Sequence, residues 1–151
     1  MRRGFSLIEL LFVLLILGIL LTVIVWSFSS FRDSRLLENS IGDAVSLTDE
    51  ARVKTISSYN NMQHGVHFEA SRMVLFKGTT FSGSDSDNKE VSIHPLMEIV
   101  NISLNNSGSD VVFQRINGKT DNYGSVVIRV KSDPSRAKQI NINSTGVVDV
   151  Q

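Results

Sequence analysis

Between Phe5 and Trp26 every position is apolar or small except one, and the exception is Glu9. A helix over that run would be roughly 33 Å long, close to the ~30 Å hydrocarbon core of a bilayer. A secretory signal peptide competes for the same pattern, but its apolar region usually spans only about 7–15 residues before an Ala-x-Ala-like site. Ser27-Phe28-Ser29 is a poor version of that site, and the apolar run is too long. We therefore read residues 5–26 as a single membrane-spanning segment. Arg2 and Arg3 mark its cytoplasmic side, although Arg32 and Arg35 beyond the far end weaken the asymmetry. The chain has no cysteine, so an extracytoplasmic domain here must be held by packing alone, and thiolate zinc sites and thiol nucleophiles are excluded. Its formal net charge is zero, so no global field draws it to nucleic acid or anionic lipid.

Past Trp26 the pattern turns one-sided. Phe28, Phe31, Leu37, Ile41, Ala44, Val45, Thr48, Ala51, Thr55 and Ile56 recur at three- and four-residue steps, with charges such as Arg32, Glu38, Asp43 and Lys54 mostly between them. Proline is absent until Pro95, and Gly42 is the one weak point. The pattern predicts one helix from Phe5 to about Ser58, ended by the Ser57–Asn61 run and about 80 Å long. Its amphipathic half, residues 27–58, needs a domain to pack against.

Residues 62–151 read as that domain, a β-rich head. "HGVHFE" and "MVLFKG" flank a short turn and form a hairpin; "EVSI", "MEIVNISL", "DVVFQ", "SVVIRVK", "KQININ" and "GVVDV" follow at short intervals. In the last pair Ile140 and Ile142 alternate with Asn141 and Asn143, and Asn143-Ser144-Thr145-Gly146 makes the turn. Thr79–Lys89 and Asn105–Asp110 are polar, glycine-containing stretches expected as exposed loops. The fold class is α+β: a long N-terminal helix packed on an antiparallel, sandwich-like head.

The segment "RRGFSLIELLFVLLILGILLTV" resembles the leader and helix of type IV prepilins and type II secretion pseudopilins. The matching residues are Gly4, Phe5 and Glu9. The resemblance implies that residues 1–4 are a leader cut after Gly4 by a prepilin peptidase, and that Phe5 becomes the N-methylated mature terminus. More distantly, Ala51-Arg52, the Val66-His67-Phe68 strand and the closing "QININSTGVVDV" resemble H-type pseudopilins and related minor pilins, the GspH/FimT family. That implies a pilin-like fold, a minor subunit rather than a major pilin with its C-terminal cysteine pair, and a bacterial inner-membrane protein with its head in the periplasm. The implied partners are other pilin or pseudopilin subunits, the peptidase and an inner-membrane assembly platform. The machine implied first is a type II secretion pseudopilus, with a type IV pilus second.

An acid in mid-bilayer costs about 2.5–3.5 kcal/mol, less near an end, so Glu9 needs a reason. It could serve its own helix, since acids are favourable near helix N-termini and its own amine would be one turn away. The resemblance implies instead that it pairs with the Phe5 amine of a neighbouring subunit and so drives docking into a fibre. Leu7, Leu10, Leu11, Leu14, Ile16, Leu20 and Val23 would face lipid before assembly and other helices after it, and Gly18 would permit close approach.

No motif points to catalysis, a cofactor or a metal, and the chain is read as a non-enzyme. His64 and His67 are three residues apart, which puts them on opposite faces of a strand. Asp85-Ser86-Asp87-Asn88 lacks the downstream glutamate of a calcium loop, and Gly118-Lys119-Thr120 lacks the upstream glycine of a P-loop. One alternative concerns nucleic acid. A relative of this family can bind DNA through a basic C-terminal segment, and Arg129, Lys131, Arg136 and Lys138 are the candidates here. Scattered cations on a sheet are usually a solvated face, and the chain ends "GVVDVQ" with no arginine cluster, so fibre assembly is the reading kept. A membrane-anchored β domain that never polymerises is the remaining alternative.

Overall fold

The computed structural model describes residues 6–106 and 108–151, with the side chains of 23–27, 29 and 30 outside that description. One α-helix, α1 (Leu7–Ile56), precedes eight strands: β1 (His64–Phe68), β2 (Arg72–Lys77), β3 (Lys89–Ser92), β4 (Met97–Leu104), β5 (Asp110–Val112), β6 (Gly124–Val130), β7 (Asp133–Ile142) and β8 (Val148–Val150). Two compact units result, residues 1–35 and residues 36–151. The second takes in α1 from Leu36 onward together with every strand.

The end of α1 follows from local chemistry. Ser58 adopts a left-handed conformation, φ 55°, and Asn60 and Asn61 follow it at φ 54° and 57°. Asparagine tolerates this region better than most residues, so the chain leaves the helix through a single 3-10 turn, Tyr59–Asn61. Lys54 lies in the last helical turn, where a cation offsets the helix dipole.

The strands form two antiparallel four-stranded sheets, in the orders β3-β2-β1-β5 and β4-β6-β7-β8. The β1–β2 hairpin pairs Val66 with Leu75 and Phe68 with Met73, so one face carries the buried Val66, Phe68, Met73 and Leu75. On the second sheet Val126, Ile128, Ile140 and Ile142 turn inward. Leu37, Ile41, Ala44, Leu47 and Ala51 of α1 join both inner faces in one core. Burying each leucine, isoleucine or valine among them contributes about 1.5–3 kcal/mol before entropy is counted. The architecture is thus α+β, a helix packed on antiparallel sheets.

Ser40, Thr48 and Thr55 lie on the buried helix stripe without leaving orphaned hydroxyls. Ser40 donates to the Leu36 carbonyl at 2.9 Å, Thr48 to Ala44 at 2.7 Å and Thr55 to Ala51 at 2.8 Å. Thr55 Oγ1 also accepts the His64 N–H at 2.9 Å, joining the helix end to β1.

The stripe expected from spacing needs correction at both ends. Phe28, Phe31 and Ile56 are 70%, 58% and 40% exposed, and Phe31 instead lies under the Arg35 guanidinium, 5.1 Å from its ring centre. A helical period fixes which side a residue lies on, but not whether anything covers that side. Lys89 and Asp110, expected in loops, begin β3 and β5.

The segment 79–88 folds back over the outer face of the first sheet. Phe81 stacks on His67 with ring centres 4.0 Å apart and meets Phe76 edge-on at 5.6 Å. Phe76 can lie flat there because Gly65 has no side chain: a Cβ at that position would sit 2.7 Å from the Phe76 ring.

Candidate functional site

From Leu7 to Leu21 the first unit presents an apolar helix with one carboxylate, Glu9. The Ser6 carbonyl accepts the Glu9 and Leu10 N–H groups at 3.1 and 3.2 Å, which places Glu9 in the first turn of α1. Ser6 and Glu9 thereby stand at the spacing of a capping box, where unpartnered N–H groups and the helix dipole favour an acid. From Leu7 to Leu21 the large apolar side chains are 52–79% exposed. They lie on all sides of the helix rather than in one stripe. Gly18 has nothing within 4 Å of where a Cβ would stand, leaving its side open to a close neighbour.

Gly4 and Phe5, the expected cleavage and methylation positions, lie outside the described residues. The expected span over residues 5–26 also runs partly beyond them, through Phe5 and through the side chains of Val23–Trp26. Among the described residues, no helix is long and apolar enough to cross a membrane.

On the head, the helix end is clasped by two turns. Arg52 Nε donates to the Gly118 carbonyl at 3.2 Å. Gly118 (φ 62°) and Gly146 (φ 79°) both need the left-handed region, and a Cβ on Gly146 would lie 2.0 Å from the Gly118 carbonyl oxygen. Ala51-Arg52 thus serves the fold directly. The alanine is fully buried in the core, and the arginine ties the Gln114–Thr120 turn to α1.

Polar and charged groups cross the outer face of the first sheet in a chain. His67 Nδ1 lies 2.5 Å from Asp110, and its Nε2 is 3.7 Å from Glu69. Arg72 holds Glu69 through Nε and Nη2 and reaches Glu90 at 2.8 Å. The Arg72 guanidinium holds the Glu69 carboxyl below the ordinary carboxylate range. His64, on the opposite face, is buried, and burial pulls its imidazole below the ordinary value of 6.5. The opposite faces expected from their spacing are observed. Among the described residues, no group of three or more His, Asp or Glu is placed to hold a metal ion.

The four basic candidates do not form one patch on the second sheet. Arg129 lies outward, bound to Glu98 at 2.7 Å. Lys138 stands opposite the inward-facing Ile128 and pairs with Glu38 of α1 at 2.5 Å. Lys131 donates to the Pro95 carbonyl at 2.9 Å, and Arg136 also has a partner.

Residues 1–25 match the family model described as the prokaryotic N-terminal methylation motif. No curated protein sequence matches the chain. Among solved structures, two crystal forms of the type IV minor pilin FimU of Pseudomonas aeruginosa match at TM-scores of 0.58 and 0.60 with 11% identity. They cover 76% and 80% of this chain and 92% of theirs. The minor pseudopilin EpsH of the Type 2 Secretion System of Vibrio cholerae matches at a TM-score of 0.58 and 11% identity, over 76% of this chain and 95% of its own. The chain thus joins a match to the prokaryotic N-terminal methylation motif, over residues 1–25, to a helix-on-sheets fold similar to those of a minor pilin and a minor pseudopilin.

Proposed function

We propose that this protein is a minor subunit of a pilus-like fibre, made as a prepilin and built in through its N-terminal helix. The observation that carries the reading is the methylation motif overlapping a stretch of α1, Leu7–Leu21, whose large apolar side chains are exposed on every side and whose one charge is Glu9. The precursor is anchored in the bacterial inner membrane with its head in the periplasm, cut after Gly4 by a prepilin peptidase and methylated at Phe5. Glu9 then pairs with the Phe5 amine of an adjacent subunit as an assembly platform adds it to the fibre. That pairing answers the cost of an acid in lipid: two opposite charges, each expensive alone in hydrocarbon, neutralise one another only in the fibre. The role is structural, with no catalysis assigned to it.

A type II secretion pseudopilus is our first reading of the machine. It is supported by the H-type features Ala51-Arg52, Val66-His67-Phe68 and the closing β7–β8 hairpin. A type IV pilus is second, and the folds of FimU and EpsH resemble this chain about equally. Mass spectrometry of the membrane-extracted protein tests the processing step: a mature chain starting at methylated Phe5 is expected, and a retained leader contradicts the reading. Deleting the gene then separates the machines, since loss of exoprotein release marks secretion and loss of surface fibres marks a pilus.

A further inference from the structure

The outer face of the second sheet carries a row of polar side chains in direct register across all four strands. Ser103 of β4 stands opposite Ser125 of β6, Ser125 opposite Asn141 of β7, and Asn141 opposite Asp149 of β8. Strand spacing puts successive members about 4.8 Å apart. Ser103 reaches this row only through a bulge. Between Val100 and Ser103 the β4 register slips by one residue, at Asn101 with φ 49°. The slip turns Leu104 into the core, 6% exposed, and sends Ser103 outward.

Lateral bonds fix the row in place. Gln139 Nε2 donates to Asn141 Oδ1 at 2.6 Å, and Asn143 Nδ2 donates to Asp149 Oδ2 at 2.7 Å. These two bonds use Asn141 Oδ1 and Asp149 Oδ2, and the Asn141 amide N–H groups and the second Asp149 oxygen add donor and acceptor capacity to the row. The face forms an open groove of about 800 Å³, and Tyr123, 44% exposed, lines it with an aromatic ring.

We propose that this groove binds a neutral oligosaccharide. The row offers two hydroxyls, an amide and a carboxylate side by side, and neighbouring sugar hydroxyls, each both donor and acceptor, can bond to all three kinds of group. An aromatic ring beside such a row supplies an apolar surface for the C–H face of a pyranose. Charge decides against the main competitor. Among the described residues lining the groove there is no Lys, Arg or His, and Asp149 is the one charged side chain, so a phosphate or sulfate ligand would meet repulsion and no cation. An apolar peptide would strip water from the amides and return no hydrogen bonds. The proposal concerns the head alone and does not depend on the fibre reading.

Saturation-transfer NMR on the full chain in phospholipid nanodiscs, free of glycoside detergent, provides the test. The probes are maltohexaose, cellohexaose and chitohexaose at millimolar concentration, with a sulfated oligosaccharide as counter-probe. Transfer to at least one neutral hexasaccharide is expected. Tyr123→Ala and Asn141→Ala should each weaken it by about tenfold or more, and Lys138→Ala, on the opposite face, should leave it unchanged. Circular dichroism of each variant shows that the fold is retained. No transfer from any of the three, transfer that survives the Tyr123→Ala/Asn141→Ala pair, or preference for the sulfated sugar each overturns the proposal. So does finding, by cross-linking through Ser125→Cys, that a second copy of the chain covers the groove.

Discussion

Arg52 Nε donates to the carbonyl of Gly118, a residue 66 positions further along the chain. The bond fastens the last turns of α1 to a loop that precedes β6, and so couples the helix to the head. Replacing Arg52 by alanine removes a charged donor and leaves a partly buried carbonyl short of a partner. A loss of about 1–3 kcal/mol is expected from chemical denaturation, with Arg52→Lys recovering part of it.

The adjacent turn gives a sharper comparison. A Cβ on Gly146 would meet the Gly118 carbonyl oxygen at 2.0 Å, whereas one on Gly118 would first meet the end of the Ile56 side chain at 2.5 Å. A side-chain tip moves more readily than a backbone carbonyl. Both Gly118→Ala and Gly146→Ala carry the left-handed penalty of about 1–2 kcal/mol, and the melting temperature should fall further for Gly146→Ala.

His64 provides a pH dependence. Burial, with the Lys54 charge adding to it, lowers its pKa below the ordinary 6.5, and its Nδ1 is buried without a hydrogen-bond partner among the described residues. The unfolded chain therefore takes up a proton near pH 6.5 that the folded chain resists. Stability is complete above that value and declines as the pH falls below it. Thermal melts between about pH 7.5 and 5.5 should show a steeper decline for the wild type than for His64→Gln. Equal slopes would contradict a buried, neutral imidazole at this position.

Asn101 sits at φ 49° in the β4 bulge. Glycine adopts that conformation freely and a β-branched residue does so rarely. Asn101→Gly should melt within a few degrees of the wild type. Asn101→Val should lose about 1–3 kcal/mol, because relieving the strain would drag Leu104 out of the core.

Much of this was readable in the residues. The alternation in Ile140-Asn141-Ile142-Asn143 sets the inner and outer faces of β7, and the asparagines after Ser58 end the helix as expected. Each of these is a local signal. Long-range pairing is not: nothing near Arg52 in sequence says that Gly118 accepts its N–H, and nothing in "MEIVNISL" says that Asn101 breaks the register. The polar row needed four strands to be aligned before Ser103, Ser125, Asn141 and Asp149 could be seen as one surface. The same limit explains Phe28 and Phe31, whose spacing fits the buried stripe although they are exposed. At the N-terminus, the sequence carries the motif in full, and the structure adds the place of Glu9 in the first helical turn.

Assembly through Glu9 is tested most directly by recovering Glu9→Ala subunits from sheared fibres, quantified against processed protein left in the membrane. Cleavage after Gly4 and methylation of Phe5 should be normal, with the variant accumulating in the membrane and missing from the fibre. A fully processed variant that enters fibres at the wild-type level would contradict pairing through Glu9.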